Sequence, residues 1–282
     1  MITEQWYIDG VDGSTFGVYL TEGSYRDLVC LNSLKEISYN DWQERDGIDP
    51  DLSAPVLDAK TVVLDFALVG SVADYDTFLR YLTKGAYHTF RFPQIGLETT
   101  LRLTDCGDTD TLQDLKTFSL TFSEDTPLAG YTYAAPSSDL PAFGDYLIDG
   151  VDVASYGIRI LSGTYDSLTA APTPKQGLTR NISVCAGVEH DGKENLAMKF
   201  KSRTARLHCW MCAKTLGEFW RNRNALLFNL AQPEARTLTA TELGKDFSFY
   251  YKSCSIEHLD VLDGIWCKLT LDIELFKGGL LW

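Results

Sequence analysis

The chain has 282 residues, 45% apolar and 23% charged, the balance of a globular protein and not of a disordered or fibrous one. Lysine and arginine number 25 against 39 acids, and the resulting net charge of −14 disfavours a surface that grips nucleic acid or an anionic membrane. A length of this order suggests about two domains.

The first strand pattern, Ile8-Asp9-Gly10-Val11-Asp12, returns as Ile148-Asp149-Gly150-Val151-Asp152, and the register then runs on without a gap. Nine of the 21 positions from 8 to 28 are identical to their partners, and others exchange only Phe for Tyr, Val for Ile or Ser for Thr. Chance does not give that in ungapped register, so the chain is read as a duplication. A long loop follows in each copy, residues 32–56 and 169–197. Loops of that length inside a compact domain are usually functional, and each carries an Asp-Gly turn signal suited to the tip of a hairpin arm, Asp46-Gly47 and Asp191-Gly192. Next come strand-like runs at 61–68 and 203–211, amphipathic helices at 74–82 and 215–223, and further strands at 87–92 and 226–230. Each copy closes on period-two alternation, residues 118–122 and 269–275, which puts one face in a core. The Pro- and Ser-bearing stretch between the copies reads as a linker. The expected division is therefore residues 1–126, a linker at 127–144, and residues 145–282. Strands in series with one helix and no βα alternation predict a mainly-β (α+β) chain of two similar sandwich or barrel units, each with one flanking helix.

The opening residues show no basic stretch followed by an apolar run, so no secretory signal is expected. The longest greasy run, residues 61–70, is broken by Asp65 and falls far short of the ~20 residues that span a bilayer. Seven cysteines, at 30, 106, 185, 209, 212, 254 and 267, are then expected as reduced thiols in a cytoplasm.

Signs of catalysis are sparse. The four histidines, His88, His190, His208 and His258, lack metal-ligand spacing and read as surface or edge-strand residues. Cys209-Trp210-Met211-Cys212 has the spacing of a redox dithiol or half a zinc site, but in a strand residues three apart face opposite ways. Two small buried hydrophobes is the better reading. The acids from Asp105 to Asp110 lack the calcium-loop pattern and read as a solvated turn. The duplicated Asp-Gly-Val-Asp reads as a turn and cap between strands. Asn181-Ile182-Ser183 is a glycosylation sequon without a secretory context. Most aromatics fall in patterned segments, whereas Trp42 and Trp282 stand where an isolated chain exposes them, which suggests burial against a neighbour.

Tyr7 to Val18 and Leu147 to Ile158, each an Ile-Asp-Gly-Val-Asp followed by an aromatic-Gly-aliphatic step, resemble the start of phage tail proteins of the distal-tail, tail-tube and baseplate-hub kind. The later order of long arm, strand, helix and strands is similar too. The resemblance implies tube-type β units assembled into a ring around a DNA channel, without catalysis or a cofactor. Distal-tail proteins commonly pair one tube domain with a different peripheral domain; two tube-like copies resemble a baseplate hub more. The expected partners are copies of the chain, as a trimer with pseudo-six-fold symmetry or a hexamer, and other tail and baseplate proteins. DNA is expected only as passing cargo, no membrane is expected, and the place is a virion tail assembled in the host cytoplasm. Trp42, Asp46, Gly47, Asp191, Gly192 and Trp282 are the expected contacts between subunits. The rival reading is a tandem carbohydrate-binding or adhesin module, which needs an aromatic-lined groove and an export signal.

Overall fold

The computed structural model describes residues 5–21, 23–69, 72–112, 115–175, 179–180, 183–184, 186–187, 189–190, 198–261 and 264–277. The first half begins with a hairpin, β1 (Tyr7–Ile8) and β2 (Val11–Asp12), followed by β3 (Val18–Leu20) and a short helix, α1 (Tyr25–Val29). An arm carries β4 (Tyr39–Asn40) and β5 (Asp49–Pro50). Then come β6 (Lys60–Leu68), α2 (Val72–Leu82), β7 (His88–Phe92), β8 (Leu97–Leu112) and β9 (Leu115–Glu124). The second half repeats the series: β10 (Tyr146–Ile148), β11 (Val151–Asp152), β12 (Ile158–Ile160), α3 (Thr164–Thr169), an arm with β13 (Thr179–Arg180) and β14 (Glu189–His190), then β15 (Arg203–Ala213), α4 (Leu216–Leu230), β16 (Arg236–Ala240), β17 (Lys245–Asp260) and β18 (Ile265–Lys277).

Strands pair as β2-β1-β7-β8-β9-β6-β3 in one seven-stranded sheet and as β11-β10-β16-β17-β18-β15-β12 in the other, the same order element for element. Among the described residues 43% are strand and 20% helix, in curled sheets, and the fold is mainly β, of the sandwich or barrel type. Curling has a local cause: β8 breaks register between Leu103 and Asp105 and again between Cys106 and Thr109, and β17 does so at three places. Each such bulge bends the strand and increases its twist.

The duplicated motif does the same work twice. Asp9 and Asp149 sit at φ 49° and 50°, each before a glycine near 80°, the paired left-handed conformation of a two-residue hairpin turn. Asp12 and Asp152 then accept from the amides of Ser14 and Ala154, capping the helical turns before β3 and β12.

Val62, Leu64 and Phe66 of β6, and Ala205, Leu207, Cys209 and Met211 of β15, alternate into the core. Most buried apolar side chains of both halves form one continuous cluster. Trp6, Phe66, Phe78 and Phe90 pack ring on ring at its first-half end.

Several local expectations need correcting. Residues 226–230, read as a strand, belong to α4, because the period of Phe219, Arg223, Leu226 and Leu230 continues unbroken through the greasy run. Thr215 caps that helix by accepting from the Glu218 amide, while Glu218 accepts from the Lys214 amide. Asp105 to Asp110 lie within β8 and are not a turn. Each half also has a second, short helix, α1 or α3, beside the expected one. Among the described residues, no helix is long and apolar enough to cross a membrane.

Candidate functional site

Two constructions join the halves. In the first, the arm of the first half lies on the second half. Asp46 accepts from the Phe200 amide at 2.9 Å, and the Gly47 amide donates to the Phe200 carbonyl at 2.8 Å. Gly47, at φ 71°, passes so near the backbone of Phe276 that its missing Cβ is what makes the approach possible. Ile48 and Leu52 bury with Tyr250 and Phe276 in a small core of their own. Lys175 of the second half reaches into the arm, its buried ammonium donating to Asp41 at 2.5 Å and to the carbonyls of Trp42 and Gly47 at 2.7 Å each. Three acceptors converge on it. Trp42 itself keeps half its surface exposed.

The second construction is a polar seam. Arg223 of α4 donates to the carbonyls of Val29 and Cys30, at the C-terminal end of α1. Lys60 donates to the carbonyls of Leu28 and Cys30 and pairs with Glu124 at 3.2 Å. Glu124 also accepts from Thr99 and Asn32. Burial pushes the Lys60 ammonium down to about 8, and Arg223 adds to that. Burial works the other way on Glu124, but Lys60 and Arg223 outweigh it and hold the carboxyl below its ordinary value. A cavity of about 340 Å³ opens beside the cluster, lined among others by Asn32, Thr99, Trp220 and Asn224. The Trp220 indole donates to the Ile95 carbonyl at 2.6 Å, a third tie across the halves. Because Lys60, Glu124 and Arg223 are all hydrogen-bonded within the chain, the cluster suits a structural tie.

The linker stretch runs along α4. Asn222 accepts from the Ser137 amide and donates to the Ser137 carbonyl, and Phe228 packs against Tyr131 and Tyr133.

Of the expected contact residues, the structure brings Asp46 and Gly47 into the intrachain arm contact and leaves Trp42 half out; Asp191, Gly192 and Trp282 lie outside the described residues. Cys209 is buried and Cys212 half-buried on opposite faces of β15. The His88–Asp9 pair, at 2.6 Å, has the look of a proton-transfer dyad, yet the other ring nitrogen of His88 is held by the Leu82 carbonyl. Its counterpart in the second half is an Arg236–Asp149 ion pair at 3.1 Å, so the position braces a turn in both. His208 bonds Thr270 across the sheet, and His258 is exposed on β17. Among the described residues, no three His, Cys, Asp or Glu side chains are grouped to hold a metal. Lys175, Lys60 and Arg223 carry no signal in the sequence, since none belongs to a motif and their partners lie far along the chain.

Fold and seam define a duplicated mainly-β chain whose halves are locked by an arm and a buried polar tie. No family model matches it, and no curated protein does. Among solved structures it is similar to the crystal structure of the SPP1 Dit protein (gp 19.1), described as a paradigm of hub adsorption apparatus in Gram-positive-infecting phages. The identity is 10%, the coverage 96% of this chain and 98% of that one, and the TM-score 0.34.

Proposed function

We propose that the chain is a structural, non-catalytic component of a phage or prophage-derived tail, a ring-forming distal-tail or baseplate-hub protein around the DNA channel. The units are residues 1–126 and 145–282, joined by residues 127–144. The carrying observation is the arm of the first half seated on the second half through Gly47, Asp46 and Lys175. A duplicated unit that already grips its neighbour head to tail within one chain forms a ring when the same contact is repeated between chains with a rotation that closes. The second arm, with Asp191 and Gly192, would grip the first half of the next chain, and three chains would fill six positions. A hexamer with one copy lining the channel is the alternative ring. The net charge of −14 fits a lumen that repels phosphate and lets DNA slide.

Native mass spectrometry and negative-stain microscopy over a concentration series test the reading. Rings with a central hole, of three or six chains, support it. A chain that stays monomeric at the highest concentration and binds immobilised glycans overturns it in favour of the carbohydrate-binding class.

A further inference from the structure

Cys30 and Cys254 stand 224 residues apart in sequence and face each other across the seam. The Cys30 thiol donates to the Cys254 carbonyl at 3.2 Å, which lays its sulfur against the Cys254 backbone. A small void between the halves is lined by Val29 and Leu31, the residues on either side of Cys30, and by Cys254. Both backbones are anchored. The Cys30 amide donates to the Arg26 carbonyl, its own carbonyl takes Lys60 and Arg223, and four residues on, the Leu34 amide donates to the Lys252 carbonyl. A disulfide needs the two residues' backbones within ~7 Å of each other, and here cysteines of different halves already meet through a thiol-to-carbonyl contact.

We propose that Cys30 and Cys254 are a reversible disulfide site that covalently ties the first half of the chain to the second. Cys30 is the attacking group. The neighbouring Cys254 side chain favours its thiolate, burial opposes, and the cations Lys60 and Arg223 add to the favourable side, so the group lies below the ordinary thiol range. Every other described cysteine is pushed the opposite way, Cys267 up to about 12 by burial. With hydrogen peroxide as oxidant, the Cys30 thiolate attacks one peroxide oxygen and the O–O bond breaks. Hydroxide leaves and takes up a proton, and Cys30 becomes a sulfenic acid. The Cys254 sulfur then attacks the Cys30 sulfur, the S–O bond breaks, and a second water departs with the Cys254 proton. In sum, two thiols lose two electrons and two protons, and one peroxide becomes two waters. Dithiothreitol reverses the bond by exchange. The proposal is independent of the tail reading.

The full chain is treated with a small excess of hydrogen peroxide, alkylated with N-ethylmaleimide, digested without reductant and mapped by mass spectrometry. The expected result is one cross-linked peptide pair joining Cys30 to Cys254, two fewer alkylated thiols per chain, and a higher melting midpoint, all undone by dithiothreitol. Cys30→Ser and Cys254→Ser each abolish the cross-link, while Cys106→Ser leaves it. The wild-type map decides even where a variant folds poorly. Cys30 and Cys254 both remaining alkylatable, Cys30 paired with another cysteine, or Cys30 carried on to sulfinic acid overturns the proposal.

Discussion

Gly47 lies over Phe276 so closely that a Cβ at residue 47 would fall 1.7 Å from the Phe276 carbonyl oxygen. The arm is therefore seated by an absence, and both the left-handed φ of 71° and the contact require glycine. Gly47→Ala is expected to lift the arm tip and cost about 1–3 kcal/mol, the range for a strained backbone position or an overpacked contact. Urea unfolding measures the loss, and limited trypsin digestion is expected to cut at the exposed Arg45 faster in the variant.

Lys175 offers a second handle on the same contact. Lys175→Met keeps the stem but leaves the carbonyls of Trp42 and Gly47 and the carboxylate of Asp41 without their donor. Asp41 is 42% exposed and is left to water, so the loss comes from the two carbonyls without a donor, at ~1–3 kcal/mol each. The double variant with Gly47→Ala is expected to lose less than the two singles added, because both release one arm. Full additivity in the unfolding midpoints would show that the arm is not one unit.

The paired turns predict a matched effect in the two halves. Asp9 accepts from Thr89, His88 and Tyr81, and Asp149 from Thr237 and Arg236. Asp9→Ala and Asp149→Ala each place alanine at positive φ and strip these acceptors, at about 1–3 kcal/mol apiece. Burial raises the Asp9 pKa, but His88 and the Thr89 amide more than offset it and leave it lowered. A lowered carboxylate contributes stability above its unfolded value of ~3.9, lost as pH falls through the folded value. Asp9→Asn is expected to flatten that acid limb in a pH series of thermal melts.

Lys60 works at the other end of the pH scale. Its folded value of about 8 lies below the ordinary 10.5, so between these pH values the unfolded chain binds the extra proton and stability from this group rises with pH. The burial penalty is fully present below pH 8. The difference in stability between the wild type and Lys60→Met is expected to shift toward the wild type across pH 8–10.5, by up to roughly 3 kcal/mol. Taking the difference cancels the tyrosines and cysteines that titrate alkaline in both. A difference constant across that window refutes the assignment.

Sequence periodicity reaches the sheets and stops at what joins them. Alternation in Arg203–Ala213 is visible because the core lies on one face of that strand, and the Asp-Gly-Val-Asp repeat is visible because the turn needs positive φ in both halves. Ala225-Leu226-Leu227-Phe228 misleads because a short apolar run fits strand and helix alike, and the deciding residues, Phe219 and Arg223, lie upstream. The helices α1 and α3 are too short to show a period. The Trp42 arm is legible as an arm, but its seat on Phe200 and Phe276 is not. Nor is the seam legible: Cys30, Lys60, Glu124 and Arg223 meet only after both sheets have formed, and no spacing announces them.

The seat of the arm also sets an order of events during synthesis. Asp46 waits for Phe200, which is 154 residues further along the chain, and Phe276 emerges later still. At ~5–20 residues per second, the arm spends roughly 8–30 s with no surface to rest on. In that interval Asp41, Glu44, Arg45, Asp46 and Asp49 surround Tyr39 and Trp42 with charge, which keeps a nascent aromatic hairpin in water. The first half thus leaves the ribosome unfinished, and β18 of the second half, which carries Phe276, completes it.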